Sequence, residues 1–276
     1  MTLAAVWANY EVEAAPTLWM ATDSRISDDG GRLIDEGIKL YELPYICLRP
    51  GESGFFDTPF FASSIGMAAA GGSLVYQHVY GTAVPLLSHL IGTGVAKPSP
   101  SDVADLIGRI TTTYVRSLGQ RRSDAMRVTI LLGGQLPNNR PEAYKLSAEL
   151  DRDRLVHFPP VPLDLARGSV HFIGDHLNAA DVLLTEVAAR DQPGAPRERA
   201  ALNVIRRLID DPELDTIGGD VQIGYTTSVG GFRRVASVVP DRGNEPKALR
   251  LLNSIDVNDL GAVGPCAIGM DGMVAP

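Results

Sequence analysis

The sequence predicts an α+β fold in which two antiparallel sheets pack face to face, each covered on its outer side by a pair of helices. Three observations carry this. Strand-like and helix-like runs come in blocks, in the order strands, two helices, strands, two helices, strands, rather than alternating as a parallel βαβ sheet would require. Neighbouring strand-like runs are joined by polar turns rich in Gly, Pro and Asp, such as EVEAAP and SDDGGR. The helical stretches carry their apolar residues along one side, so each has a single face to bury.

LAAVWANY and TLWMATD read as the first strands, followed by RLIDEGIKLYEL, YICLR and FFASSIGMAAA, the last closing on Gly71-Gly72. After the glycines the period changes. From Ser73 to about Ile91, residues Leu74, Val75, Val79, Ala83, Leu86 and Leu87 line one side of a helix that Pro85 should kink or divide. The loop GTGVAKPSP leads to a second helix, begun by Ser101 and Asp102 and marked by Val103, Leu106, Ile107, Ile110, Tyr114 and Leu118. Strands return with MRVTILLGG, EAYKLSAEL, RLVHFP and SVHFIG. Helices follow over about Leu177 to Arg190 and Pro196 to Ile209, then strands DVQIGYTTS, FRRVASVV and ALRLLNSI. Residues 1–253 thus read as one domain, and 254–276 as a Gly- and Pro-rich tail without periodicity. No internal repeat or low-complexity block interrupts this order.

A chain of 276 residues has ample core for one large domain. A hydrophobic content of 45% with 21% charged residues belongs to globular proteins. The net charge of −8 argues against a nucleic-acid or acidic-membrane partner. Cys47 and Cys266 stand far apart and read as reduced thiols. No CxxC or HxxxH spacing offers a metal site, and no cofactor is implied. The apolar start is broken by Asn9 and Glu11 and has no basic residues before it, so it makes a poor signal peptide. Apolar runs fall short of the ~18 residues a membrane span needs. A cytoplasmic location is the expectation.

The chemistry concentrates in four places. Thr2 is small enough for Met1 to be removed, which would leave a hydroxyl and a free α-amine on one residue, the amine accepting the proton that the hydroxyl must lose. An α-amine titrates at roughly 7.7–8.0, and a nearby cation lowers that value further. Lys39, set between Ile38 and Leu40, and the strand-end cluster Asp23-Ser24-Arg25 are charges where strands seldom carry them. An inward Lys39 would favour deprotonation of the amine and the hydroxyl, with Asp23 orienting it. Gly71, in AAAGGS where a strand hands over to a helix, would present a backbone N–H to an oxyanion.

On these residues the chain resembles a proteasome β-subunit-type peptidase of the N-terminal nucleophile (Ntn) hydrolases, a simple bacterial relative. The matching pieces are Thr2 and its strand, MATDSR, GIKL, AAAGG before a helix, RVTILLGG with EAYKL, FIGD before a helix, and IGGDVQIGY, in family order over residues 2 to 240. The resemblance implies a four-layer αββα sandwich, self-assembly into a ring or spiral homo-oligomer, and cleavage of amide bonds in a peptide or protein substrate through an acyl-enzyme. An ATPase or other partner is left open. It gives Thr2 the nucleophile's role, Asp23 and Lys39 the charged pair, Arg25 the basic residue after the aspartate, and Gly71 the oxyanion donor. Where the family has Ser-Gly, this chain has Gly174-Asp175-His176; where it has Ser-Gly-Gly, this chain has Ile217-Gly218-Gly219; Glu213 and Asp215 stand near an expected aspartate. Asp175 would bind the ammonium or a water in place of a serine. An insertion around Pro50 to Pro59 separates Lys39 from Gly71.

Two other functions stay open on the sequence: an inactive structural or regulatory assembly subunit, and an Ntn amidohydrolase acting on a non-peptide amide. A Ser-His-Asp triad is disfavoured because no GxSxG elbow accompanies His78, His89, His157, His171 and His176. GTGVAK lacks the GK[ST] ending of a phosphate loop, and SDDGG lacks the further carboxylates of an EF-hand loop.

Overall fold

A computed structural model describes residues 2–12, 15–28, 31–92, 94, 96–119, 127–137, 139–191, 197–227, 231–240, 248–253, 255–260, 262–264 and 266–267. The removal expected at Met1, and most of the 254–276 tail, lie outside them. The principal strands are β1 (Leu3–Asn9), β2 (Thr17–Thr22), β3 (Leu40–Pro50), β4 (Phe56–Gly71), β5 (Leu90–Ile91), β6 (Val128–Gly134), β7 (Glu142–Ser147), β8 (Pro160–Pro162), β9 (Val170–Gly174), β10 (Gln222–Thr226) and β11 (Phe232–Val235). The helices are α1 (Ser73–Leu87), α2 (Pro100–Gly119), α3 (Leu177–Asp191) and α4 (Ala201–Ile209).

The expected four-layer αββα sandwich of two antiparallel sheets is corrected by this arrangement. The described strands fall into six sheets: a five-stranded one ordered β9-β1-β2-β10-β11, a six-stranded one ordered β8-β7-β6-β4-β3-β5, one of three strands and three of two. The six-stranded sheet is mixed, because β5 runs parallel to β3, with Cys47 opposite Leu90 and Leu48 opposite Ile91. The physical cause is local. The residues around Pro50 to Pro59 prolong β3 and β4 into a hairpin with two register shifts, and α1 then returns the chain alongside β3 in the parallel sense, a return that needs a crossover segment.

Side-chain alternation builds three apolar cores on these elements. Leu3, Ala5 and Trp7 pack with Leu184, Val187, Val204 and Ile205 of α3 and α4. Ala4, Val6 and Ala8, one residue out of phase, meet Leu18, Met20, Leu40, Ala68, Leu131 and Phe232. Leu43, Ile65, Met67, Ile130 and Leu132 pack under Val75, Val79, Val103 and Ile107 of α1 and α2. Residues 3–8 are all buried, which is why LAAVWANY reads as a continuous apolar run rather than an alternating one.

Three local expectations change. The stretch RLIDEGIKLYEL is not one strand: Gly31–Ile34 pairs back on Ile26–Asp28, residues 35–39 are irregular, and β3 begins at Leu40. Helix α1 ends at Leu87 and is not divided, because Pro85 falls in its last turn, with only two helical residues beyond it to be displaced. Helix α2 starts at Pro100, with Ser99 as its cap. The Ser99 N–H and hydroxyl donate to Asp102 Oδ2 at 2.8 and 2.7 Å, and the Asp102 N–H donates back to Ser99 Oγ at 3.2 Å. No described helix is long and apolar enough to cross a membrane.

Candidate active site

The β1–β2 pairing carries the site. Ala4 lies opposite Thr22, so the residue after Thr22 arrives beside the start of β1. There the Asp23 carboxylate accepts the Leu3 N–H on Oδ1 at 3.0 Å and the Arg25 and Gly218 N–H groups on Oδ2, both at 3.2 Å. Lys39 Nζ reaches the same carboxylate at 3.0 and 2.9 Å. Lys39 is 1% exposed and Asp23 not at all. A buried pair is tolerable only when the remaining valences are filled, and three backbone donors on one carboxylate meet that demand. Burial pulls the Lys39 ammonium below the ordinary lysine value, with Asp23 and Asp175 opposing and Arg25 reinforcing. Burial likewise pushes the Asp23 carboxyl up, while Lys39 and the Leu3 and Gly218 N–H groups hold it back. The ammonium and the amide next to Thr2 therefore converge on one oxygen.

Thr2 is buried, and its carbonyl accepts the Asp175 N–H at 2.8 Å as β9 runs into the turn before α3. Asp175 Oδ2 is buried and has no hydrogen-bond partner among the described residues. Gly71 takes φ +98°, and a Cβ there would strike the Arg127 carbonyl, so only glycine serves at this hand-over from β4 to α1. Ala70, just before it, borders the same space, since a Cβ built on Gly174 would lie 3.4 Å from the Ala70 Cβ beside the Thr2 carbonyl.

Arg25 donates through Nε to Asp35 Oδ1 at 2.7 Å and through Nη1 to the Ile217 and Asp215 carbonyls at 3.0 and 3.4 Å. Asp215 thus meets Arg25 with its backbone and not its carboxylate. A Cβ at Gly218 would occupy the space of the Arg25 guanidinium, which accounts for a small residue there. Ile217 is buried in the core with α3 and α4. Two participants, Asp35 and Gln222, escape a reading of the sequence, and Ser24, legible only as part of the strand-end cluster, gains specific partners. Asp35 lies in a stretch that reads as strand. Ser24 receives the Asp220 N–H at 2.7 Å and donates to the Asp35 carbonyl. Gln222, buried in β10, binds the backbone around Lys39. The available signal for Gln222 was its place as the polar residue in the apolar run VQIGY.

No protein-family model matches the chain, and no curated protein matches it. Solved structures do. The helical assembly of the Anbu complex from Pseudomonas aeruginosa is similar at 16% identity, with 85% of this chain and 86% of that chain covered and a TM-score of 0.54. The Anbu (Gly-1) mutant from Hyphomicrobium sp. strain MC1 is similar at 17% identity, over 81% of this chain and 80% of that chain, with a TM-score of 0.51. The fold is Anbu-like. This likeness to Anbu, a distinct family, corrects the resemblance to a simple proteasome β-subunit-type peptidase. At these identities the likeness is one of fold alone.

Proposed function

We infer that the chain is an N-terminal threonine hydrolase that cleaves peptide amide bonds through an acyl-enzyme once Met1 is removed. The observation that carries this reading is the buried Lys39–Asp23 pair, whose carboxylate also holds the amide next to Thr2. The freed α-amine takes the Oγ1 proton as Oγ1 bonds to the substrate carbonyl carbon. The oxyanion accepts a hydrogen bond from the Gly71 N–H. Collapse expels the amine product, which leaves with the proton from the α-ammonium. Water then attacks the ester, giving a proton to the α-amine; as the Oγ1–acyl bond breaks, the α-ammonium returns that proton to Oγ1 and the acid product leaves. Lys39 favours the uncharged amine by its field, Asp23 fixes Lys39, and Asp175 supplies an anion beside Thr2 for the transient ammonium. Arg25, Gly218 and the Asp215 carbonyl brace Asp23. Self-association is part of the proposal, supported by the helical assembly of the similar P. aeruginosa complex.

Intact-mass measurement and labelling with a β-lactone test it. Loss of Met1 and one covalent adduct on Thr2, absent in Thr2→Ala, are expected. Retained Met1 with unlabelled Thr2 would favour the second reading, a non-catalytic assembly subunit, which Ile217 supports by filling the usual serine position with a core side chain. Labelled Thr2 without peptide turnover would point to a non-peptide amide.

A further inference from the structure

We propose that Gln222 is the positioning residue that holds Lys39 in the site, an inference that rests on the hydrolase reading for its catalytic consequence but not for its structural one. Lys39 stands in irregular backbone, outside both ladders. Such a segment, when buried, must have its N–H and C=O groups satisfied from elsewhere. One side chain supplies two of those bonds and a third to Leu40, where β3 begins. Gln222 Oε1 accepts the N–H of Lys39 and of Leu40, both at 3.0 Å, and Gln222 Nε2 donates to the Gly37 carbonyl at 2.7 Å. Others come singly: the Gly37 N–H donates to the Ser24 carbonyl at 2.8 Å, the Tyr41 hydroxyl to the Ile38 carbonyl at 2.8 Å, and the Ala69 N–H to the Lys39 carbonyl at 3.2 Å.

The register explains why this amide stands where it does. Gln222 is the partner of Thr22 across β10 and β2, and Asp23 follows Thr22. Neighbouring positions of one sheet therefore grip Lys39 at both ends, the carboxylate at Nζ and the amide at the backbone. The amide accepts two N–H groups through one atom and donates to a carbonyl through the other, at a length that spans all three. Methionine matches its length but leaves two donors and an acceptor buried without partners, and asparagine is a methylene too short to span them. Without the clamp, the Lys39 backbone is free to relax and carry the ammonium off Asp23.

The test uses the full-length protein as wild type, Gln222→Met and Gln222→Asn. Amine acetylation followed by mass spectrometry reads four lysines, Lys39, Lys97, Lys145 and Lys247. Wild-type Lys39 should resist modification. In Gln222→Met it should react about tenfold faster, the rate equivalent of one lost buried hydrogen bond, with Lys97 and Lys145 unchanged, and Gln222→Asn should move the same way by less. Equal protection of Lys39 in all three proteins overturns the proposal. So does a uniform rise at every lysine, which would mean that Gln222 holds the fold and not this residue.

The catalytic consequence is read separately. Gln222→Met should slow β-lactone labelling of Thr2 about tenfold at saturating label, with the half-saturating concentration unchanged, and should cause no further loss in a Lys39→Ala background. An additive loss there overturns the role through Lys39. Wild-type Thr2 that never labels refutes the hydrolase reading, while the acetylation pattern still decides the clamp.

Discussion

At the scale of single residues, the proposed hydrolase mechanism gives the Lys39–Asp23 pair a part in both limbs of a pH profile. The α-amine must be uncharged to accept a proton, and the Lys39 ammonium must be charged to favour that state. Labelling of Thr2 should rise with pH through the amine's titration and fall again as Lys39 loses its proton. Because burial lowers Lys39, that fall should come below pH 10.5, the ordinary lysine value. Rate constants for labelling from pH 5 to 10.5 check this, and a plateau persisting to the alkaline end would contradict it. The same proposal places Asp175 on the other limb. A carboxylate close to the amine favours its protonated form, so Asp175→Asn should move the rising limb down by about one pH unit. An unmoved limb would remove Asp175 from the amine's surroundings.

Elements make different demands. Helix α2 begins with a reciprocal cap between Ser99 and Asp102, and these bonds hold the Asp102 carboxyl below the ordinary carboxylate range. Ser99→Ala should therefore cost about 1 kcal/mol at neutral pH. The sign follows from linkage: a carboxyl depressed in the folded state stabilises above its unfolded pKa and loses that contribution as pH falls through its folded value. The difference between Ser99→Ala and wild type should accordingly narrow in acid, as read by urea midpoints at several pH values. Gly71 is an element-scale constraint of the opposite kind. With φ at +98° and the Arg127 carbonyl in the way, Gly71→Ala should disturb the β4–α1 junction and cost about 1–3 kcal/mol.

For the whole molecule, polar side chains cross between the two large sheets through a mostly apolar interior. Thr226 in β10 accepts the Leu18 N–H at 2.9 Å and donates to Gln135 Oε1, beyond β6, at 2.7 Å. Ser64 in β4 donates to the Phe232 carbonyl at 2.6 Å. Thr226→Val keeps the shape and strands both partners, so it should cost about 1–3 kcal/mol in urea unfolding with an unchanged m value. Assembly belongs to this scale too. Light scattering should give a particle mass well above the 29.5 kDa of one chain; a monomer at micromolar concentration would contradict self-association.

Apolar runs and their periods in the sequence determined which segments become β1, β2, β4, β6, α2, α3 and α4, because burial on one face or both leaves its mark on each element. Residue chemistry also singled out Thr2, Asp23, Lys39 and Gly71, since charges and glycines in apolar runs are costly without a purpose. The tertiary structure alone decided how strands divide among six sheets, where RLIDEGIKLYEL breaks, and that β5 joins parallel. It alone brought Gln222, Asp35 and the Gly218 N–H to residues nearly two hundred positions or only a turn away. Periodicity describes one segment's own faces, whereas edge pairing, a broken strand and a buried amide's partners are fixed by which distant backbone groups are left to satisfy.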